Sequence, residues 1–275
     1  MDFKKLREIN LEETKQKLRE SVNEETQIIQ AKEAIDDLKK TANVLATRLR
    51  EWYGYYNPEF EKELRDNEKF VELAHKEKPA KDSLGGKFGK EDVEKINILA
   101  EQINNQYNLI KKLEKYLEEL MQKVCPNMTA LTGVQIGAEL IILARSLKRL
   151  SEMPASKIQL LGAEEALLRH LKTESKSPKY GILFMHPLVQ KAKDIEKFEK
   201  QSGNSQTSHK SVLNINAKKC HSKHSRGKAA KIIAEKIAIA VKVDRFRGKY
   251  VGDELRKKVE EKIAKLGIRN LGVGE

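Results

Sequence analysis

The sequence predicts an all-α protein, in which a long antiparallel coiled-coil hairpin is followed by a compact helical domain. Charged residues make up 35% of the 275 residues and aromatic residues only 5%, which is typical of long solvated helices rather than of β-sandwiches. Two long segments carry apolar residues at alternating steps of three and four, the spacing of a coiled-coil stripe. A glycine-rich turn between these segments predicts that they fold back on each other.

The first apolar stripe predicts one helix between Ile28 and Trp52, about 40 Å long at the ~1.5 Å rise per residue of an α-helix. The stripe consists of Ile28, Ala31, Ile35, Leu38, Ala42, Leu45, Leu49 and Trp52. Gly54 and Pro58 both disfavour a straight continuation, so we expect the helix to be interrupted within residues 51–60. The next expected elements are a short helix over residues 61–76 and a turn over 78–89.

The second stripe lies between Val93 and Val124 and predicts the returning helix. It consists of Val93, Ile96, Ala100, Ile103, Tyr107, Ile110, Leu113, Leu117, Leu120 and Val124. Its spacing slips once, between Ile110 and Leu113, which predicts a local overwinding. The expected core of the coiled coil is formed by Ile35, Leu38, Leu45, Leu49, Ile96, Ile103, Ile110 and Leu117. Self-association of two chains through the same stripes is an alternative to the hairpin.

Pro126 divides the predicted chain into an N-terminal helical segment with its arm, residues 1–125, and a helical domain, residues 126–275. The elements expected in that domain are an apolar helix over 131–150, a helical stretch over 157–172, a turn and a buried segment over 177–189, an amphipathic helix over 228–243, and a last helix capped by Asp253 and ended by Gly267. Residues 194–222 lack sustained periodicity and are rich in Ser, Asn, Gln and Lys, so we expect a surface insertion or a disordered loop there.

Charge is distributed unevenly along the chain. Residues 1–130 contain 24 basic and 26 acidic residues, a net charge of −2, whereas residues 131–275 contain 30 and 15, a net charge of +15; together these give the +13 of the whole chain. An excess of this size predicts a polyanionic partner such as nucleic acid. No segment reaches the ~18 uninterrupted apolar residues of a membrane span, and the first residues lack a secretory signal. We therefore expect an intracellular protein with no membrane partner.

The motifs of catalysis and of cofactor binding are missing from the sequence. The Gly-Gly-Lys at residues 85–87 lacks the other residues of a phosphate-binding loop, and neither GxGxxG nor GxSxG occurs. Two cysteines exclude a disulfide framework. A zinc centre in the 194–222 region is a rival interpretation, because His209, Cys220, His221 and His224 could supply four ligands, but their spacing matches no standard finger. We expect no catalytic residue, no cofactor and no metal.

Three motifs of the C-terminal half occur in a fixed order. They comprise Ile158, Gln159, Leu161, Gly162, Ala163, Glu164, Ala166, Leu167, Arg169, Leu171 and Lys172, then Pro178, Lys179, Tyr180 and Gly181, and finally Arg226, Gly227, Lys228, Ala234 and Lys236. With the EWYGYYNPEF segment at 51–60, this pattern resembles the Nop-domain family. That family comprises scaffold proteins of archaeal and eukaryotic box C/D guide ribonucleoproteins and a spliceosomal relative. The resemblance covers roughly residues 25–193 and 223–262, and it departs from the family pattern at Leu168, where the family has Phe, and at the 194–222 segment.

The resemblance implies an RNA-binding scaffold that supports RNA 2′-O-methylation without catalysing it. Its implied partners are a box C/D or other kink-turn RNA together with a kink-turn-binding protein of the ribosomal type, and a second copy of the chain bound through the coiled coil. Fibrillarin, the methyltransferase, binds an N-terminal α/β domain in the archaeal family, and residues 1–25 are too short for that domain. We therefore expect either a fragment or a chain that does the RNA part alone, with fibrillarin as a partner only if that domain lies elsewhere.

Two other functions stay open at this point, namely a spliceosomal-type or other Nop-domain assembly factor and a structural coiled-coil protein with an incidental basic domain. The implied location is the cytoplasm of an archaeon or the nucleolus or nucleus of a eukaryote. The expected RNA-binding residues are Gln159, Gly162, Lys172, Lys176, Lys179, His186, Arg226, Lys228 and Lys231, and the expected protein-partner residues are Ala163, Glu164 and Arg169. Backbone N–H groups before Gly162 and the neighbouring cations suit a phosphate-rich target. The structural alternatives are that Gly162, Ala163 and Leu167 are packing residues and that Arg169 pairs with Glu165.

Overall fold

Every regular element in the described residues is helical, which confirms the all-α prediction. The structure is a computed structural model that describes residues 3–74, 83–173, 175–192 and 225–265. Its elements are α1 (Phe3–Ser21), α2 (Glu24–Tyr56), α3 (Pro58–Glu63), α4 (Asn67–Ala74), α5 (Lys90–Val124), α6 (Pro126–Thr132), α7 (Val134–Ala144), α8 (Leu147–Glu152), α9 (Ala155–Leu160), α10 (Glu164–Lys172), a 3₁₀ helix (Ile182–Met185), α11 (described part 187–192), α12 (Ser225–Arg245) and α13 (Gly252–Lys265). The predicted 194–222 insertion and the end of the last helix at Gly267 lie outside these ranges.

The chain divides into two compact units. One contains the described residues within 30–119, and the other contains those within 1–29 and 120–275. Among the described residues no single helix combines the length and apolar content of a membrane span; only α6 and α7 taken together do so, across a bend of 116°.

In the 30–119 unit, α2 and α5 lie side by side and run in opposite directions. Lys39 Nζ contacts Glu114 Oε1 at 2.5 Å, and Tyr107 Oη donates to Asn43 Oδ1 at 3.4 Å. The partner on α5 therefore moves backward as the chain advances along α2. Of the residues expected in the coiled-coil core, Leu38 and Leu45 are half-buried; the buried ones are Ile35, Leu49, Ile96, Ile103, Ile110 and Leu117.

The buried face of α2 shifts by one position after Ala42. Ala46 and Tyr53 are 0% and 1% exposed, whereas Trp52, which the heptad register placed in the stripe, is 37% exposed. The expectation for Trp52 was wrong because a straight α-helix has 3.6 residues per turn and drifts by ~20° per heptad against a 3.5-residue repeat. Tyr53 instead enters an aromatic cluster with Phe60 and Phe70.

The helix is interrupted within the predicted segment 51–60. Helix α2 continues through Gly54 to Tyr56 and stops at Asn57, whose side chain accepts a hydrogen bond from the Phe60 amide at 3.3 Å. Pro58 then takes the first helical position of α3, where its missing N–H is not needed. The single short helix expected over 61–76 is two helices. Arg50 holds the break between them, because its guanidinium donates to the carbonyls of Glu61 and Leu64.

In the other unit, the apolar helix predicted over 131–150 is broken twice. Gly133 has φ +76° between α6 and α7, and Arg145 has φ +67° between α7 and α8. These left-handed residues end each helix and let short segments fold against one another. Periodicity located the apolar residues but not the turns, because Arg145 is a residue type that seldom adopts this conformation.

Helix α12 is the centre of this unit and packs against α6, α8, α9 and α13. Near its end, the buried Asp244 accepts hydrogen bonds from the Asn127 amide (3.1 Å), the Asn127 side chain (2.7 Å) and the Met128 amide (2.9 Å). Asp244 thereby caps the first turn of α6 and fixes it against α12. In the last helix, α13 begins at Gly252, so Asp253 lies in its first turn and is not the cap that the sequence predicted.

Candidate nucleic-acid interface

Gln159 joins three segments that are far apart in the sequence. Its side-chain Nε2 donates to the carbonyl oxygen of Lys179 at 2.5 Å and to that of Gly227 at 3.4 Å. The contact brings together α9, the loop over 175–181 and the first turn of α12, and we call this arrangement the Gln159 junction. The junction unites residues from all three sequence motifs of the C-terminal half. The predicted helical stretch over 157–172 is interrupted here, between α9 and α10.

Main-chain contacts hold the loop tightly against the end of α9. The amide of Gly181 donates to the carbonyl of Gln159 at 2.9 Å, and the amide of Ile182 donates to that of Leu161 at 2.7 Å. A Cβ added to Gly181 would lie 1.8 Å from the Leu161 carbonyl oxygen. Only glycine fits at this position, because the obstacle is backbone that cannot move aside.

Gly162 breaks the helix with a φ of +82°. Its amide donates to Glu164 Oε1 at 3.0 Å, and the amide of Ala163 donates to the carbonyl of Leu160 at 2.9 Å. The amides of Gly162 and Ala163 are therefore occupied within the protein. Of the N–H groups before Gly162, that of Leu161 donates to the Ile158 carbonyl at 3.4 Å; the expected role of these groups toward phosphate stays a prediction.

An aromatic pair supports the cationic part of the junction. Tyr180 and Phe184 stack with ring centroids 5.1 Å apart and an interplanar angle of 16°. The Arg226 guanidinium lies 5.9 Å from the Phe184 ring, within the range of a cation–π contact. Tyr180 was identified only as part of a family motif, and Phe184 was not identified, although Tyr180 directly follows the predicted Lys179.

Five of the predicted RNA-binding lysines lie on the segments that meet at the junction or next to them. Lys179 lies against the first turn of α12, where a Cβ on Gly227 would be 3.4 Å from Lys179 Cβ. Lys228 and Lys231 follow on α12 three residues apart, which places them on one face of the helix. Lys172 and Lys176 flank the start of the loop, and all five lysines are exposed. The structure therefore brings Gln159, Lys179 and Arg226 together at the Gln159 junction.

His186 does not belong to the exposed surface. It is 6% exposed, with Nε2 at 3.0 Å from the Leu131 carbonyl oxygen and Nδ1 accepting from the Leu188 amide at 3.2 Å. Burial lowers the pKa of its imidazole below the usual value. Both ring nitrogens are engaged by main chain, so His186 is a core residue and not an RNA contact in this conformation.

Helix α10 carries the residues expected to bind a protein partner. Glu164 and Arg169 are exposed and Ala163 is half-buried. The helix has no buried residue, and its apolar Leu168 and Leu171 are 55% and 72% exposed. The spacing of apolar residues along 167–171 indicates this face in the sequence, but neither Leu168 nor Leu171 was predicted to be part of a binding surface. No ion pair joins Glu165 to Arg169 within the described chain.

The described residues offer little for metal or nucleophilic chemistry. They contain no group of three or more His, Cys, Asp or Glu side chains that could hold a metal ion. The histidines and the cysteine of the rival zinc site lie outside them. Cys125 is buried, and the loss of hydration raises the pKa of its thiol, as do the charges of Asp244 and Glu25. A thiol of this kind is a poor nucleophile.

Comparison with known proteins identifies a family. The sequence profile of Nop, described as "snoRNA binding domain, fibrillarin", matches residues 34–85, 78–202 and 195–265. An uncharacterized NOP5 family protein of Methanocaldococcus jannaschii is 36% identical over 263 residues, which cover 87% of this chain and 56% of that protein. Nucleolar protein 58 of Schizosaccharomyces pombe is 33% identical over 271 residues, which cover 88% of this chain and 48% of that one. The chain thus spans about half the length of these curated relatives.

A solved structure shares the fold. A chain of the crystal structure titled as a fibrillarin/Nop5p complex aligns with a TM-score of 0.53 at 23% identity, over 96% of this chain and 78% of that one. At this identity the likeness concerns the helical architecture alone.

Proposed function

The chain belongs to the Nop family, as its motifs predicted, and on that premise we propose that it is an RNA-binding scaffold of a box C/D-type guide ribonucleoprotein. In this role it recognises a composite surface made of a kink-turn RNA and the protein already bound to that RNA. The observation that carries the proposal is the Gln159 junction, because it gathers the three family motifs at one point beside exposed lysines.

The RNA side of the surface centres on α12. Lys228 and Lys231 point from one face of its first turns, with Lys179 beside them. Bent RNA concentrates phosphates, and it is recognised by shape and backbone rather than by a base code. The Arg226 guanidinium lies beside the Phe184 ring, which favours one orientation of the cation before RNA arrives. A preoriented cation loses less conformational entropy on binding than a free one.

The protein side of the surface is α10. Its exposed Leu168 and Leu171 offer apolar area, with Glu164 and Arg169 as charged neighbours. This combination of apolar centre and polar rim is the usual composition of a protein interface. Because α10 and the loop over 175–181 both extend from the Gln159 junction, one partner particle can touch both.

The remaining parts of the proposal concern the whole assembly. The arm would join two copies of the chain, since it keeps apolar side chains exposed after its own helices pair, among them Val44, Leu84 and Ile98. We propose that the chain is not an enzyme and that methyl transfer, where it occurs, belongs to fibrillarin. Nucleolar protein 58 relatives favour the nucleolus if the source is a eukaryote, and the archaeal relative is compatible with the cytoplasm of an archaeon.

The test is a gel shift with a kink-turn RNA, with and without its primary binding protein. The wild-type chain should supershift the binary complex and bind the bare RNA poorly. Replacing Arg226→Glu and Lys228→Glu together should abolish the supershift and leave the helical circular dichroism unchanged. Lys112→Glu with Lys115→Glu, two exposed positions on α5 in the other unit, changes the net charge equally and should assemble normally. Unchanged assembly of the first double variant would overturn the proposal.

A further inference from the structure

A cationic cleft, separate from the Gln159 junction, lies at the opposite end of α12 from Arg226. It has a volume of about 420 Å³ and is lined by Lys148, Ser151, Glu152, Lys242, Arg245 and Phe246. Its walls come from α8 and from the last turn of α12, which pack against each other. Neither the family motifs nor the residues of the Gln159 junction contribute to it.

The charge of this cleft favours an anionic ligand. Lys148, Lys242 and Arg245 are exposed and face a single carboxylate, that of Glu152. In the described parts of the chain, none of the three cations lies within ion-pair distance of a carboxylate. Four further exposed cations lie close to these residues in the sequence: Arg145, Arg149, Arg247 and Lys249. A patch of this density attracts a polyanion such as RNA.

An aromatic ring projects from the rim of the cleft. Phe246 is 81% exposed and directly follows the last residue of α12. The chain turns sharply after it: Arg247 has φ +52°, and the Gly248 amide donates to the Val243 carbonyl at 2.8 Å. Phe246 thus presents an apolar ring beside the cations of the cleft, an arrangement that suits a ligand with both an apolar face and negative charge.

The turn that carries Phe246 is rigid because its base is buried. Asp244, two residues earlier, is 7% exposed and holds Asn127 and Met128 of α6 by three hydrogen bonds. The backbone that leads to Phe246 is therefore anchored to α6. An anchored backbone favours base stacking, because less conformational entropy is lost when a base binds.

We propose that this cleft binds a single-stranded RNA segment, with one base stacked on Phe246 and the adjoining phosphates on Lys148, Lys242 and Arg245. The inference rests on the proposed function, since it adds a second contact for the same RNA. Lys228 and Arg245 are seventeen residues apart on α12, or about 26 Å at ~1.5 Å per residue. The two sites therefore hold different nucleotides. The RNA that meets the Gln159 junction reaches this cleft only with a strand that continues away from the kink-turn.

The experiment measures binding of the full chain to a fluorescein-labelled oligouridine of about ten nucleotides, a length that spans one stacking site, by fluorescence anisotropy. An abasic oligomer of the same length and charge is the second probe. The wild type should prefer the oligouridine by about tenfold, the effect expected of one stacked base. Phe246→Leu keeps an apolar side chain but removes the ring, so it should abolish this preference and leave abasic binding unchanged. Tyr55→Leu, an exposed aromatic residue on the arm, should behave as wild type.

The outcomes separate this site from the proposed function. If Phe246→Leu retains the preference for bases, or if the wild type shows none, the cleft is not a stacking site and the inference is wrong. The Arg226→Glu, Lys228→Glu variant should bind oligouridine normally although it fails to assemble on the kink-turn complex. Loss of oligouridine binding in that variant, with Phe246→Leu unaffected, would assign single-stranded RNA to the Gln159 junction instead.

Discussion

His186 shows how burial fixes the protonation state of one residue. Its Nδ1 accepts a hydrogen bond from the Leu188 amide, which requires a neutral ring with its proton on Nε2. The Nε2 proton is then directed at the Leu131 carbonyl. Protonation would place a second N–H against the N–H of Leu188. Burial, together with the charge of Arg256, lowers the pKa of His186, although the bond to Leu131 acts in the other direction. The residue is thus a source of pH-dependent stability rather than of RNA affinity.

The sign of the His186 effect follows from this lowered pKa. The unfolded chain binds a proton near the ordinary value of 6.5, whereas the folded chain does so only at lower pH. The free energy of unfolding should therefore fall as the pH is lowered from about 7.5 to about 5.5. His186→Gln can still donate and accept, and it should lose part of this dependence. Urea unfolding of both proteins across this range measures the difference; an equal pH slope in the variant would contradict the assignment. The comparison cancels other groups, such as Asp244, whose pKa burial raises.

At the scale of elements, the loop over 175–181 depends on Gly181. Its hypothetical Cβ would meet the carbonyl oxygen of Leu161 at 1.8 Å and the carbonyl carbon at 2.6 Å. Gly181→Ala must therefore push the loop away from α9 and break two main-chain hydrogen bonds. We expect the free energy of unfolding to drop by about 2–4 kcal/mol and RNP assembly to weaken, since Lys179 moves with the loop. Thermal unfolding followed by circular dichroism measures the first effect.

Gly227 provides the matched control for Gly181. It also lies at the junction, but its Cβ would be no closer than 3.4 Å to Lys179, which is ordinary contact. Because it lies in the first turn of α12, Gly227→Ala should be neutral or stabilise the protein by up to about 1 kcal/mol through helix propensity. Equal destabilisation by both substitutions would show that the close backbone approach at Gly181 is not the cause.

How far sequence predicts these elements depends on what ends them. Periodicity located the apolar faces of α2 and α5 because a long amphipathic helix repeats its pattern many times. It joined α6, α7 and α8 into one helix, since the break at Arg145 depends on tertiary packing that overrides the poor left-handed preference of arginine. The buried face of α2 also departs from the predicted heptad register, because a straight helix drifts against a 3.5-residue repeat. A heptad fits Ile35 and Leu49, but packing against Phe70 selects Tyr53 over Trp52.

The residues of the candidate site were also predicted only in part. Motif residues identified Gln159, Lys179 and Arg226, and the fold brings them together. Exposure could not be predicted for His186, because a histidine in an apolar segment suits both a core and a surface. The cleft at Phe246 could not be predicted from the sequence, because its cations come from two segments, Lys148 on α8 and Lys242 with Arg245 on α12. These segments are far apart in the sequence and meet only where α8 packs against α12.

At the scale of the whole molecule, charge separation predicts how binding responds to salt. Residues 131–275 carry a net charge of +15 and residues 1–130 carry −2, so most phosphate contacts should come from the C-terminal half. Each neutralised phosphate releases condensed counterions, and the logarithm of affinity should fall with the logarithm of salt concentration by about 0.7–0.9 per phosphate. A steep slope for assembly on the kink-turn complex is therefore expected. An incidental basic domain on a structural coiled coil would show a shallow one.

Neutralising particular lysines should change this slope by a countable amount. Lys228→Gln with Lys231→Gln removes two cations from one face of α12, so the slope should become shallower by about 1.4–1.8 while the order of preference among RNAs is kept. The same change at Lys112 and Lys115 on α5 should leave the slope as it is, because the arm makes no RNA contact in this scheme. Titrations by anisotropy at several salt concentrations measure both. If the α5 variant flattens the slope as much as the α12 variant does, RNA responds to the net charge of the molecule and not to a defined face of α12.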